Sequence, residues 1–224
     1  MSALPVTVLV VAKAPEPGRA KTRLAATVGD RLAADIAAAA LLDTLDAVAA
    51  APVAARVVAL TGDLDAAAGA AEITRRLESF TVIGQRGAGF ADRLANAHAD
   101  AGSCSGGRPV LQIGMDTPQV TAELLTDGAR RLLDGAPAVL GLAHDGGWWV
   151  LGLRNPAMAE CLRAVPMSQP DTGELTLKAL RANGIDVAAV QPLSDIDVAE
   201  DVAAVRDACA PDGRFARVTR AAGL

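Results

Sequence analysis

Ala138-Val139-Leu140-Gly141-Leu142-Ala143-His144-Asp145-Gly146-Gly147-Trp148-Trp149-Val150-Leu151-Gly152-Leu153 decides the fold class. The runs 138–143 and 148–153 are apolar and bounded by turn residues, the composition of strands. Only residues 144–147 separate them, and a parallel crossover needs a dozen residues or more. The pair therefore reads as an antiparallel hairpin.

Outward from this hairpin the chain alternates strands with helices. Residues 6–11, 55–60, 80–83, 109–114 and 187–190 read as further strands. Residues 29–51, 63–77, 88–101, 122–133, 171–182 and 198–208 read as helices. In 29–51, Leu32, Ile36, Leu41, Leu42, Leu45 and Val48 recur at roughly helical spacing. Alternation of this kind builds βαβ units and a largely parallel sheet covered on both faces. The expected fold is a three-layer α/β/α sandwich with a mixed, mostly parallel sheet, forming one domain over residues 1–224. Gly102-Ser103-Cys104-Ser105-Gly106-Gly107 reads as a surface loop. No internal repeat is visible.

The formal net charge is −5. A sequence-independent nucleic-acid binder needs clustered positive charge, so the net charge argues against that class. A local basic pocket for a small anion is still allowed. The three cysteines, Cys104, Cys161 and Cys209, have no metal-ligand spacing and suggest no disulfide framework. No secretory signal and no apolar run of membrane-spanning length are seen, giving the expectation of a cytoplasmic protein.

Strand 6–11 runs into Lys13-Ala14-Pro15-Glu16-Pro17-Gly18-Arg19-Ala20-Lys21-Thr22-Arg23. Ligands of open α/β sheets bind beyond the carboxyl ends of strands, where this loop lies. Lys13, Arg19, Lys21 and Arg23 are candidate phosphate ligands, and Gly18 permits a tight turn. Two of the chain's three lysines stand here. The bland alternative is a solvated basic turn. Neither a Walker A pattern nor a dinucleotide fingerprint follows this strand. Gly84-Gln85-Arg86-Gly87-Ala88-Gly89 follows strand 80–83; through Gly87 its backbone can approach a base or ribose, or it is an ordinary turn.

Strand 109–114 leads into Met115-Asp116-Thr117-Pro118. Asp116 is a candidate ligand for Mg²⁺, which takes one or two carboxylates plus substrate phosphates; it also suits a cap or turn. Asp195 and Asp197 alternate along an extended segment, so both can face one site while Ile196 packs inward. Asp197 also suits the cap of helix 198–208, with Glu200 in a capping box. Asp145 is placed to act as a base or hydrogen-bond acceptor. Gly146 and Gly147 permit close approach of a substrate, and Trp148 or Trp149 can stack on a sugar or base. The alternative is a plain hairpin with one core tryptophan. His98 and His144 lack metal-ligand spacing and read as structural.

Together, Lys-Ala-Pro-x-Pro-Gly-Arg-x-Lys-Thr-Arg-Leu24, Ile113-Gly-Met-Asp-Thr-Pro118, His144-Asp-Gly-Gly-Trp-Trp149, Met167-Ser-x-Pro-Asp-Thr-Gly173 and Asp195-Ile-Asp197 resemble the DUF2064 family. These are glycosyltransferase-A-like proteins of the nucleotide-diphospho-sugar transferase superfamily, related to 2-phospholactate guanylyltransferase. The resemblance runs over about residues 5–205. A tryptophan pair at 148–149 stands where the family has tyrosines. The resemblance implies a nucleotide donor, a small-molecule acceptor, and Mg²⁺ or Mn²⁺ on Asp116 with Asp195 or Asp197. It implies catalysis at Asp116 and Asp145 by a nucleotide-dependent transferase, foremost a nucleotide-sugar glycosyltransferase. The alternatives are a nucleotidyltransferase joining a nucleoside triphosphate to a phosphorylated small molecule, or a nucleotide-binding module without turnover.

Overall fold

The computed structural model describes residues 3–224. Strands β1 (Leu4–Lys13), β2 (Val53–Thr61), β3 (Thr81–Gly84), β4 (Val110–Gly114), β5 (Ala138–Leu142), β6 (Trp148–Leu153) and β7 (Val187–Ala189) form one sheet in the order β3-β2-β1-β4-β6-β5-β7. Every pairing is parallel except those of β6, which runs antiparallel to both β4 and β5. The hairpin and the mixed sheet expected from residues 138–153 are therefore present. Because β6 is reversed, its amino end arrives at the edge where β1 and β4 end.

The helices are α1 (Thr22–Val28), α2 (Asp30–Ala50), α3 (Ala70–Leu77), α4 (Phe90–Cys104), α5 (Ala122–Leu133), α6 (Thr172–Ala182), α7 (Ala199–Ala208) and α8 (Arg214–Ala221), with a 3₁₀ segment at Pro156–Ala164. On one face of the sheet, Val6, Val8 and Val10 of β1 meet Leu41 and Leu45 of α2 and Leu125 of α5. On the other, Leu9 and Val11 meet Leu94 of α4 and Leu162 of the 3₁₀ segment. This is the alternation of a strand buried on both faces. The outer side of α2 is covered in turn by Phe215, Val202 and Leu24 from α8, α7 and α1. Its alanines let partners approach on several sides, which suits a helix buried nearly all round. No helix among the described residues is long and apolar enough to cross a membrane.

Four local readings are corrected. Helix 63–77 shrinks to α3, because the Asp63 carboxylate accepts the Asp65 amide at 2.9 Å and closes a turn instead. A short helix, α1, precedes α2 where a loop was expected. The chain ends on α8, whose first amides, Arg214 and Phe215, donate to the Asp43 carboxylate of α2. Finally, Asp197 does not cap α7. Asp201 one turn later accepts the amides of Asp197 and Val198, both at 2.9 Å, and the Asp197 carboxylate pairs with Arg23 instead.

Candidate functional site

The carboxyl edge of β1, β2 and β4 and the amino end of β6 surround an open cavity of about 1100 Å³. The basic loop forms one wall. Its anchor is Glu16, 6% exposed, whose carboxylate accepts the Asp63 amide at 3.0 Å and the Arg19 guanidinium at 3.3 Å. Gly62 must lack a side chain here, because a Cβ would stand 2.8 Å from Glu16. Lys13 donates to the Arg19 carbonyl at 2.7 Å. These bonds fix the loop before any ligand arrives, which lowers the entropy of gripping one.

Lys21 has a left-handed backbone, φ 46, and this turn directs it under the loop. Its ammonium donates to Asp116 Oδ2 at 2.7 Å and to the Ile196 carbonyl. Burial alone would depress this group; the carboxylates of Asp116, Asp195 and Asp197 outweigh it and raise the lysine above its ordinary value. Arg23 pairs with Asp197 at the rim. The segment carrying these aspartates is stitched to the hairpin and to β4: Leu193 donates to Leu142 O at 3.2 Å, His144 to Leu193 O at 3.0 Å, and Ile196 to Asp116 O at 3.2 Å. Asp195 and Asp197 line the cavity while Ile196, 1% exposed, faces the core.

Asp195 is pushed up to about 6, first by burial and then by the nearby charges of Asp116 and Asp145, with Lys21 opposing. Asp145 is exposed, lines the cavity, and spends Oδ1 on the Gly147 amide at 2.7 Å. Gly147 and Trp148 also line it. Trp149 turns into the core, with its indole N–H donating to Gln191 O at 2.9 Å. The two tryptophans thus take opposite faces, as alternation requires.

Gly18, Gly87 and Gly146 do not line the cavity. Gly18 and Gly87 shape their turns with φ 75 and φ 135. Gly146 has φ 93 and presses on the loop before α6, where a Cβ would lie 1.7 Å from the Pro170 carbonyl. His144 is exposed. His98 is buried with neither ring nitrogen partnered, and burial pushes it down to about 3. Neither histidine lines the cavity.

Several lining residues were not singled out in the sequence: Glu16, Gln85, Phe90, Arg93, Gln112 and Met167. Gln112 had a visible signal, as a lone polar residue in the apolar run 110–113. Arg93 had none, since only the packing of α4 decides where it points.

No three acidic, histidine or cysteine side chains converge as a ready cation cage among the described residues. The acidic groups nonetheless suit a hard cation that takes one or two carboxylates and completes its shell from a bound phosphate. Asp116, with Asp195 or Asp197, supplies that number. Lys21 is the positive charge now seated among them.

A mixed sheet with its ligand-facing loops at this edge is the fold of nucleotide-diphospho-sugar transferases and nucleotidyltransferases. A solved structure from Desulfovibrio desulfuricans G20, described provisionally as a nucleotide-diphospho-sugar transferase, is 22% identical with TM-score 0.83, covering 99% of this chain and 95% of that one. The 4-diphosphocytidyl-2C-methyl-D-erythritol synthase from Anaerococcus prevotii DSM 20548 is 15% identical with TM-score 0.59, covering 89% and 93%. A nucleotidyl transferase from Methanothermobacter thermautotroptrophicus is 17% identical with TM-score 0.54, covering 95% and 98%. The chain belongs to the DUF2064 family, described as an uncharacterized protein conserved in bacteria, whose profile matches residues 44–169. A comparison with curated proteins gives no match.

Proposed function

We propose that this protein is a transferase that takes a nucleotide as donor and binds Mg²⁺ or Mn²⁺ through Asp116 with Asp195 or Asp197. The observation that carries this reading is the meeting of a pre-ordered cationic loop with three aspartates at one end of the sheet. The metal's contribution, when bound, is to neutralise phosphate charge and stabilise the leaving group. Lys13, Arg19, Lys21 and Arg23 orient and neutralise the remaining phosphate oxygens, so that catalysis is chiefly positioning and electrostatics. Trp148 offers an aromatic face for a sugar or base.

Asp145 and Asp195 divide the proton chemistry. The Asp145 carboxylate accepts a hydrogen bond from the Gly147 amide at 2.7 Å. It suits an orienting role toward an acceptor hydroxyl. With the metal on Asp116 and Asp197, Asp195, pushed up to about 6 by burial in the metal-free protein, is the carboxylate left to take a proton.

Nucleotidyl transfer is one version of this reading, supported by the likeness to the 4-diphosphocytidyl-2C-methyl-D-erythritol synthase and to the Methanothermobacter nucleotidyl transferase. An acceptor oxygen then attacks the α-phosphorus and pyrophosphate leaves. Glycosyl transfer from a nucleotide sugar is the second reading, favoured by the likeness to the Desulfovibrio protein. Both share the loop and the aspartates.

The test is a panel of nucleoside triphosphates and nucleotide sugars with Mg²⁺ or Mn²⁺ and mixed small-molecule acceptors. Pyrophosphate release supports nucleotidyl transfer, and nucleoside diphosphate release supports glycosyl transfer. Binding without turnover across the panel makes the protein a nucleotide-binding module. No metal-dependent thermal stabilisation by any nucleotide sinks the proposal.

A further inference from the structure

On the side of α4 the cavity is lined by residues that the phosphate loop and the metal-binding reading do not use. Phe90, Arg93 and Leu94 from α4 form one wall. Trp148 and Met167, which pack against the apolar cluster under α4, form the other. Gln112 of β4 lines the floor.

Two polar groups here are unmatched. Arg93 Nε is buried and has no partner. The neighbouring arginines are all committed: Arg163 to Asp92 and Glu160, Arg86 to Asp100, Arg19 to Glu16, and Arg23 to Asp197. Arg93 has no carboxylate partner among the described residues, yet its guanidinium is held over the Phe90 ring at 5.6 Å. Stacking of this kind orients a guanidinium while leaving its N–H fork free. Gln112 is 1% exposed, and its Oε1 has no partner. Two residues further along β4, on the same face, stands Gly114, and the Asp116 carboxylate lies over it, where a Cβ would be 2.7 Å from Asp116 Oδ1. Buried polar atoms are nearly always paired in native proteins, so two unpaired groups on residues that line one cavity require an explanation.

We propose that this side of the cavity binds a small organic anion, with Arg93 taking its carboxylate or phosphate and Gln112 hydrogen-bonding a neighbouring hydroxyl. Leu94, Trp148 and Met167 enclose its carbon skeleton and exclude water, which strengthens the ion pair. If the transferase reading holds, this anion is the acceptor; the pairing with Arg93 and Gln112 stands on its own geometry.

The test is saturation-transfer NMR titration of the protein with D-glycerate, glycerol 3-phosphate and glycerol, without nucleotide or metal. Glycerate reads the carboxylate source, glycerol 3-phosphate the phosphate source, and glycerol is the neutral control. Arg93→Met should weaken whichever anion binds by about tenfold, with Arg93→Lys between the two. Gln112→Leu should weaken it by about threefold or more, and Arg131→Met, on the outer surface of α5 and away from the cavity, should leave it unchanged. Circular-dichroism melts of each variant confirm folding. Anion binding lost in Arg23→Met but kept in Arg93→Met, glycerol binding as well as the anions, or neither anion binding overturns the subsite. Nucleotide binding is followed on the same samples by thermal shift with Mg²⁺. Anion binding through Arg93 without nucleotide binding removes the transferase reading and keeps the subsite; the reverse pattern does the opposite.

Discussion

The Lys21 ammonium lies 2.7 Å from Asp116 Oδ2, so the acidic cluster carries its own cation. A divalent ion and this ammonium compete for the same oxygens. A nucleotide arriving with its metal would relieve the conflict by offering Lys21 a phosphate instead. Lys21→Met removes the resident charge and leaves Asp116, Asp195 and Asp197 facing one another. Removing one partner of a largely buried pair should cost about 2–4 kcal/mol in metal-free buffer at pH 7. Millimolar Mn²⁺ should restore part of that loss and raise Tm more in the variant than in the wild type. Thermal melts with and without Mn²⁺ check this; an equal shift in both proteins would show that Lys21 does not compete.

Arg23 and Asp197 form the contrasting pair, at the rim, with the Arg23 side chain 70% exposed. Exposed pairs contribute little to stability, so Arg23→Ala should lower the unfolding free energy measured in urea by less than about 1 kcal/mol. If the loop grips phosphate, nucleotide affinity should still fall by about tenfold, with a weaker dependence on salt. Nucleotide titrations at two ionic strengths separate the two effects.

His98 sets an acid limit. Its folded value of about 3 lies below the ordinary 6.5 because burial disfavours the imidazolium. The stability it permits is complete above pH 6.5 and is lost as pH falls from there toward 3. Two pH units into this window the loss reaches about 3 kcal/mol. His98→Leu removes the titration and also the two unpartnered nitrogens. Urea unfolding at pH 7.0 and 4.5 should therefore differ by about 3 kcal/mol less in the variant than in the wild type.

Gly146 holds the hairpin against the loop before α6. Gly146→Ala forces a Cβ into the Pro170 carbonyl at a backbone angle that L-residues rarely adopt. It should destabilise the protein by about 2–4 kcal/mol, and Trp148 fluorescence should change as the loop is pushed away. An unchanged urea midpoint would mean that the loop yields freely.

The sheet was legible because its decisive features are local. Four residues between strands 138–143 and 148–153 leave room for nothing but a hairpin, and the strand ends then place Lys21, Asp116 and Asp197 at one edge. What escaped depends on competition between distant groups. Residues 63–69 have helical composition, but Glu16, from the basic loop, captures the Asp63 amide. Asp197 has the identity of a cap, but Asp201 is better placed to bind the amides around it. Arg93 reads as an ordinary helix-surface arginine until Asp92 is seen to be taken by Arg163. Gly146 reads as a ligand-facing glycine until Pro170 is seen pressed against it.

The direction of α4 has a practical consequence. The helix starts beside the cavity at Phe90 and ends at Cys104, near the start of β4 and at the opposite edge of the sheet. Cys104 is exposed. Burial raises the thiol of Cys161 and pushes that of Cys209 up to about 12, so both resist forming the reactive thiolate. A maleimide at neutral pH should thus attach one dye or one tether per molecule, at Cys104. Molecules anchored there would stand with their ligand mouths turned to solution, ready for surface-based titration of the unmodified sequence.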